Sequence, residues 1–545
     1  MQSTALDKSQ EFQLVGNDDV AEQPTINATQ EIKDSVTPEI IIALCGPIGS
    51  PLHETAEQIS FSLKKYGYKT YDIRLSDLIR INSKYTKINL DESTKLKKFK
   101  SLITVGDKLR EIYGSDILAK LAIAKISAER KKNFGEFDDI VNESSKGEAS
   151  KIKNQKICHI IDSVKNSSEL ELLKSIYGKM IFSIGVFSPL EARRENLSKI
   201  NSLSVEDIAE LINTDSGEEF DHGQSVRDTF PKCDYFLRVD SGLAEPGNAE
   251  AKGQILSKLE RFFKLIFRSS VISPTEEENA MYAATSAARN SACLSRQVGA
   301  AVTSSSGELL STGWNDVPRN GGGLYGKQSI RLKVIDPDHR CYALKSRSCS
   351  NDAEKRILAE VVIDSLVQEK IISVKKREDA IQTILKNSRL KDLIEFSRAV
   401  HAEMHAILGA SRVAGERILG GKIFVTTYPC HSCARHIIAS GISEVYFIEP
   451  YRKSLALKLH SDAMTESVIE TDEKVKLIQF DGVAPTRFLE LFESGSRKSK
   501  AGVLELATEG AAMPVDSVSL KAIPKLEQVV IAEVDSNKLN LLRLE

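Results

Sequence analysis

The first strongly apolar run in the chain, Ile40-Ile41-Ile42-Ala43-Leu44, has no polar alternation, as a strand buried on both faces of a sheet requires. It passes through Gly46-Pro47-Ile48-Gly49-Ser50 into an amphipathic stretch over 54–66 that predicts a helix. The same order recurs downstream. Residues 157–161 form an apolar run ending at Asp162, 168–177 read as a helix, 180–187 as a strand and 249–267 as a closing helix. Strands and helices in alternation predict an α/β fold with a doubly wound parallel sheet over 37–268.

A second pattern occupies 275–490. A helix over 280–292 is followed by two strand-like runs, Val298-Gly299-Ala300-Ala301-Val302 and 308–315, parted by Ser304-Ser305-Ser306-Gly307 as in a hairpin. An insertion, 316–398, separates this hairpin from a helix beginning near His401. Strand 422–428, a helix from Cys430 to Gly441, strand 444–448, helix 454–464 and strand 475–480 complete the block. The chain ends bracket these two regions. Residues 1–36 are polar and aperiodic and read as a flexible leader, and 491–545, without a clear fold signal, read as a C-terminal extension that is either docked on the body or partly disordered.

Composition narrows the classes of function. Lys plus Arg number 74 against 76 Asp plus Glu, a formal charge of −2, so no general attraction to a polynucleotide backbone is expected. Basic runs such as 95–100 read as solvated faces. Aromatics make up 6% of the chain and Trp314 is the single tryptophan, a poor supply for stacking on extruded bases. No apolar stretch reaches the 18 or so residues of a membrane span, and the N-terminus carries no signal-peptide pattern. Eight thinly spread cysteines suit a reducing compartment, so a cytoplasmic protein is expected.

The chemistry concentrates in two short motifs, His401-Ala402-Glu403 and Pro429-Cys430-His431-Ser432-Cys433. Two thiolates and one imidazole can hold a zinc ion with a fourth position open for water. Zinc lowers the pKa of a bound water from about 15.7 towards about 7, which makes it a nucleophile at neutral pH. Glu403, too close to His401 to be another convenient ligand, is placed to move protons. Two residues apart in a regular helix, His401 and Glu403 would point about 200° from one another. They are therefore expected at a helix start. A closed structural site would need a fourth ligand, His405 or His431, and would leave Glu403 and Pro429 without a role.

H-x-E followed by P-C-x-x-C is the signature of the zinc nucleobase deaminases. Together with Val298-Gly299-Ala300, Gly313-Trp314-Asn315, Thr427-Tyr428 and Ile437-Ile438-Ala439-Ser440-Gly441, it resembles the deoxycytidylate deaminases over about 275–490. The whole chain resembles the bacterial anti-phage deaminases of deoxycytidine nucleotides, which carry an N-terminal P-loop kinase-like domain. Trp314 to Arg319, Gly321-Gly322-Gly323, 446–451 and 453–456 add to that likeness. The resemblance implies a cytidine-deaminase-like α/β/α domain, one catalytic Zn2+ per chain held by His401, Cys430 and Cys433, and Glu403 as proton carrier. It further implies Asn315 and Ala402 as substrate-binding residues. The substrate would be dCTP or dCMP, consumed to starve an invader of dCTP, in a homo-oligomer. A second, structural zinc in the insertion, near His339, Cys341 and Cys349, is another possibility. A polynucleotide-editing deaminase shares the zinc motif and stands as the alternative.

The N-terminal region departs from a working kinase. Counting a Walker loop from Gly46 puts Pro51 at the second glycine, Leu52 at the lysine and His53 at the hydroxyl position. Backbone N–H groups around Gly46, Gly49 and Ser50 can still cradle an anion, with Asp162 at the end of a neighbouring strand. A regulatory nucleotide site and a purely structural scaffold are both open readings, and the expected partner is an inhibitor or a regulatory nucleotide.

Overall fold

The computed structural model describes residues 36–134, 155–199, 203–217, 225–243, 247–326, 338–387, 390, 393–449, 454–467, 473–515, 518–519, 523–537 and 539. The leader, apart from its last residue Val36, lies outside them, as do 450–453 of the resemblance.

The first sheet follows a short strand β1 (Val36–Thr37). It is built from β2 (Ile40–Cys45), β3 (Lys69–Arg74), β4 (Ile157–Asp162), β5 (Ile181–Phe187) and β6 (Tyr235–Arg238). These five run parallel in the order β6-β5-β2-β4-β3. Every residue of β2 is buried, and alternate side chains enter different cores. Ile40, Ile42 and Leu44 pack with Leu52, Ile59, Leu259 and Phe262, whereas Ile41 and Ala43 pack with Leu121, Leu170 and Leu173. The sheet is thus covered on both faces, as the sequence predicts. β3 escaped that reading because it is an edge strand whose only fully buried residue is Ile73, so it lacks an apolar run. The basic run at 95–100 opens the helix Lys95–Tyr113, whose N-cap Thr94 accepts the Lys97 N–H at 3.2 Å.

The second sheet comprises β7 (Gly299–Thr303), β8 (Leu309–Trp314), β9 (Lys422–Val425), β10 (Glu444–Phe447), β11 (Met464–Thr465) and β12 (Val475–Gln479). Its order is β11-β12-β10-β9-β7-β8, in which β7 runs antiparallel to both of its neighbours, β8 and β9, and the remaining pairs are parallel. Helices Ala402–Ala414 and His431–Ala439 cover one face, and Glu276–Ala288 the other. The last of these begins four residues before its expected start, because Thr275 and Glu278 form a reciprocal capping box. The helix expected over 454–464 shrinks to Ala456–Leu459, since the chain turns at His460 to lay β11 beside β12.

Between the sheets lies a shared apolar layer containing Cys45, Phe230 and Phe236 from the first part and Met281, Ala301, Phe424 and Phe480 from the second. β13 (Gly482–Val483) crosses over to pair with β6, and β14 (Val518–Ser519) pairs with β1. The C-terminal extension therefore does carry structure. Its helix Ile523–Ser536 docks on the helix Ile117–Phe134 of the first part through Ile523, Val530 and Val534. In the insertion, helices Ser350–Gln368 and Arg377–Asn387 pack on each other around Ala359, Ile363 and Ile381. No helix among the described residues is long and apolar enough to cross a membrane.

Candidate active site

Two helix N-termini meet at the centre of the second sheet. His401 is the N-cap of the helix Ala402–Ala414, with φ −73° and ψ 153°, so its side chain is free of the helical 100° spacing. Glu403 lies inside the first turn. The helix-start placement is the one expected from the spacing. Cys430 is likewise the N-cap of His431–Ala439, and its Sγ accepts the Cys433 N–H at 3.4 Å. Partial positive charge at both helix starts favours anionic sulfur.

His401 Nδ1 lies 3.2 Å from Cys433 Sγ and 3.4 Å from Cys430 Sγ. The three donor atoms fall within 4.8 Å of one another and form the one such metal-competent group among the described residues. One imidazole nitrogen and two sulfurs suit zinc. The neighbouring sulfur, then the imidazole, hold the Cys430 thiol down at about 4, while its bond to Cys430 and burial push the Cys433 thiol well up. His401 is raised by its contact with Cys430. Burial, then the Cys430 charge, raise Glu403, which is 4% exposed. A carboxyl in that setting holds a proton more readily than an exposed one, as a proton carrier must.

Close packing sets the position of this constellation. Gly313 of β8 pairs with Ala300 and lies under the helix Ala402–Ala414, where a Cβ would come 2.4 Å from the Ala406 nitrogen and 2.5 Å from the Ala402 carbonyl oxygen. Only a residue without a side chain lets the helix lie this low. Gly313→Ala is expected to cost about 1–3 kcal/mol by overpacking and to lower zinc occupancy along with the urea midpoint. A variant with both values unchanged would contradict this role for Gly313.

Ala402 is fully buried and opens the helix, where a backbone N–H has no intrahelical acceptor. Asn315 is 8% exposed just beyond β8. Its Oδ1 accepts the Val298 N–H and its Nδ2 donates to the Arg296 carbonyl, each at 2.8 Å. It thus fixes the strand-entry turn 296–298 and keeps one N–H and one lone pair uncommitted by these two bonds. His405, not assigned a ligand role from the sequence, accepts the Trp314 N–H at 3.2 Å through Nδ1 and meets the Trp314 ring edge-on at 4.8 Å. Burial lowers its pKa, so it is neutral at pH 7 with the proton on Nε2. His431 lies 3.7 Å from Glu395, away from the donor group.

The insertion forms no second donor group among its described residues. Cys341 and Cys349 each contact a hydroxyl, Ser350 at 3.6 Å and Ser295 at 3.5 Å, and His339 packs edge-on against Tyr325.

In the first sheet, the glycine loop follows β2, with Gly49 at φ 84°. Leu52, at the lysine position, packs into the core. Positive charge arrives from other elements, which the local motif did not reveal. Lys165 Nζ donates to the Gly46 carbonyl and Arg193 Nε to the Ile48 carbonyl, each at 2.6 Å. Asn196 Nδ2 reaches the Gly49 carbonyl at 2.8 Å, and Ser50 Oγ is buried without a hydrogen-bond partner. Asp162 accepts from Ser163 Oγ at 3.0 Å, and burial raises its pKa.

Comparison with known proteins places one family match in the second part of the chain. Residues 274–449 match the cytidine and deoxycytidylate deaminase zinc-binding region. The ComE operon protein 2 of Bacillus subtilis (strain 168) is 41% identical over 81 residues, 14% of this chain and 42% of that protein. The deoxycytidylate deaminase of Enterobacteria phage T2 is 28% identical over 167 residues, 30% of this chain and 76% of that enzyme. The chain thus spans less than half the length of the first of these relatives and about three quarters of the second. The solved dCMP deaminase of cyanophage S-TIM5, in complex with dCMP and dUMP, aligns at 18% identity over 38% of this chain and 99% of that one, with a TM-score of 0.22. The stretch that holds His401, Glu403, Cys430 and Cys433 is the stretch that matches the cytidine and deoxycytidylate deaminases.

Proposed function

We propose that this protein hydrolytically deaminates free deoxycytidine nucleotides, dCMP, dCTP or both, to the uracil nucleotides and ammonia. The observation that carries the reading is the convergence of His401, Cys430 and Cys433 beside a buried Glu403. Zinc held by these three residues would supply the Lewis acidity that makes water a nucleophile near neutral pH. The remaining work falls to the chain itself. Glu403 takes a proton from the attacking water, delivers it to ring N3 and then helps protonate the departing amino group, so that C4 exchanges its amine for oxygen. Burial around Glu403 excludes bulk water from that proton path. Asn315 and the opening N–H of Ala402 would orient the nucleotide against the cluster.

A balanced charge of −2 supports small nucleotides over a polynucleotide substrate. The anti-phage role, the homo-oligomer, and a regulatory nucleotide or inhibitor at Gly46, Gly49, Ser50 and Asp162 belong to the same proposal. The buried, unpartnered Ser50 hydroxyl supports an anion at that loop. An enzyme that consumes dCTP needs such restraint in its own host.

The test is to incubate purified protein with dCMP, dCTP, CTP, cytidine and a cytosine-bearing single-stranded oligonucleotide, and separate the products by chromatography. Uracil deoxynucleotides with an untouched oligonucleotide are expected. Conversion of the oligonucleotide alone would favour the editing alternative. In the same assay Cys430→Ala and Cys433→Ala should lose both zinc and activity. Full zinc content in either would remove it from the donor set.

A further inference from the structure

Glu449 lies just past β10, between the two parts of the molecule, and is 5% exposed. Its Oε1 accepts from Arg227 Nε at 2.5 Å, and Arg227 belongs to the helix Val226–Thr229 of the first part. Its Oε2 lies 3.6 Å from Arg296 Nη2. Arg296 begins the turn that Asn315 clamps from the other side, through the Arg296 carbonyl and the Val298 N–H. The turn before β7 is therefore bonded by Asn315, and its half-exposed Arg296 side chain lies within ion-pair distance of a carboxylate tied to the neighbouring part.

The connection continues beyond Arg227. The Ser225 N–H donates to the Lys165 carbonyl at 2.8 Å, and Lys165 Nζ donates to the Gly46 carbonyl at 2.6 Å. Polar contacts and short stretches of backbone thus lead from the glycine loop of the first sheet to Asn315 of the second. Burying a carboxylate costs several kcal/mol unless it is well paired, and an apolar residue of similar size often packs there at no loss. Fold stability alone gives Glu449 little reason to be charged. Geometry gives a better one, since only a paired carboxylate fixes Arg227 and Arg296 relative to each other.

We propose that Glu449 is a positioning residue for the nucleotide pocket. It holds the Arg296–Val298 turn, and hence Asn315, in register, and through Arg227 it makes that register depend on the first part of the chain. The inference rests on the deaminase reading above.

Kinetics on the full-length, zinc-loaded protein test it. Glu449→Gln keeps the side-chain volume but removes the charge, and is expected to raise KM for the deoxycytidine nucleotide about 5–20-fold, with kcat, zinc content and melting temperature close to wild type. Arg227→Ala should raise KM similarly, Arg227→Lys should recover part of the loss, and the Glu449→Gln/Arg227→Ala double variant should be no worse than the poorer single one. A KM for Glu449→Gln within twofold of wild type would overturn the proposal, as would strictly additive losses. Should Glu449→Gln fail to fold, Arg296→Ala at an exposed position serves instead, with a raised KM expected and a wild-type KM fatal. A wild-type protein that deaminates no nucleotide overturns the functional reading itself, an outcome distinct from wild-type kinetics in Glu449→Gln.

Discussion

Glu403→Gln is expected to slow deamination by about 10²–10⁴-fold while leaving one zinc bound per chain. Glutamine fills the same volume and keeps an acceptor, so the first turn of Ala402–Ala414 and the packing over Gly313 need not change. What it lacks is a proton that can be taken up and given back. Glu403 is absent from the group of donors that could hold a metal, so losing its charge removes none of those donors. The separation between metal content and turnover is the informative result. Zinc by atomic absorption with loss of ammonia release supports the assignment. A rate within about tenfold of wild type would mean that another group carries the protons.

The candidate site was legible because its possible metal donors are written in two short local motifs, His401 in one and Cys430 and Cys433 in the other. Even the helix-start geometry of His401 and Glu403 followed from spacing, since a regular turn would have pointed them apart. The buried strands β2, β4 and β5 were legible for a similar reason, being unbroken apolar runs. Other features were not local. β3 is a polar-looking edge strand, and β13 is two residues that pair with a strand 246 residues earlier in register, Gly482 opposite Phe236. Lys165 and Arg193 reach the glycine loop from elements far along the chain, bonding the Gly46 and Ile48 carbonyls, and no window around Gly46 contains them. The C-terminal helix was missed because its anchoring charge, Glu527, looks in sequence like any solvent-facing glutamate and is in fact fully buried.

That anchor leads to the largest expected loss of stability. Arg130, 3% exposed, donates from Nη2 to Glu39 at 2.7 Å and from Nη1 to Glu527 at 2.5 Å. Tyr177 Oη donates to the other Glu527 oxygen at 3.0 Å, while His159 lies 3.4 Å from Glu39 and 3.5 Å from Glu129. Burial alone would raise the Glu39 pKa, but Arg130 and then His159 outweigh it and bring it down to about 2. Glu527 goes the other way, raised by burial against the pull of Arg130. The depressed Glu39 pKa contributes stability that is present above the ordinary carboxylate range and is lost as pH falls towards 2. The raised Glu527 pKa offsets part of this near neutrality. Arg130→Met leaves two buried carboxylates without their cation and is expected to cost about 3–5 kcal/mol at pH 7. The loss can appear as a lower urea midpoint or as release of the Ile523–Ser536 helix, which limited trypsin digestion would detect. Without Arg130 both carboxyls should titrate well above their ordinary range, so acidification neutralises them in the folded variant. The deficit against wild type must therefore shrink between pH 7 and pH 5. A deficit that grows on acidification, or one below about 1 kcal/mol at pH 7 with the C-terminal helix still protected, would show that this cluster does not hold the extension in place.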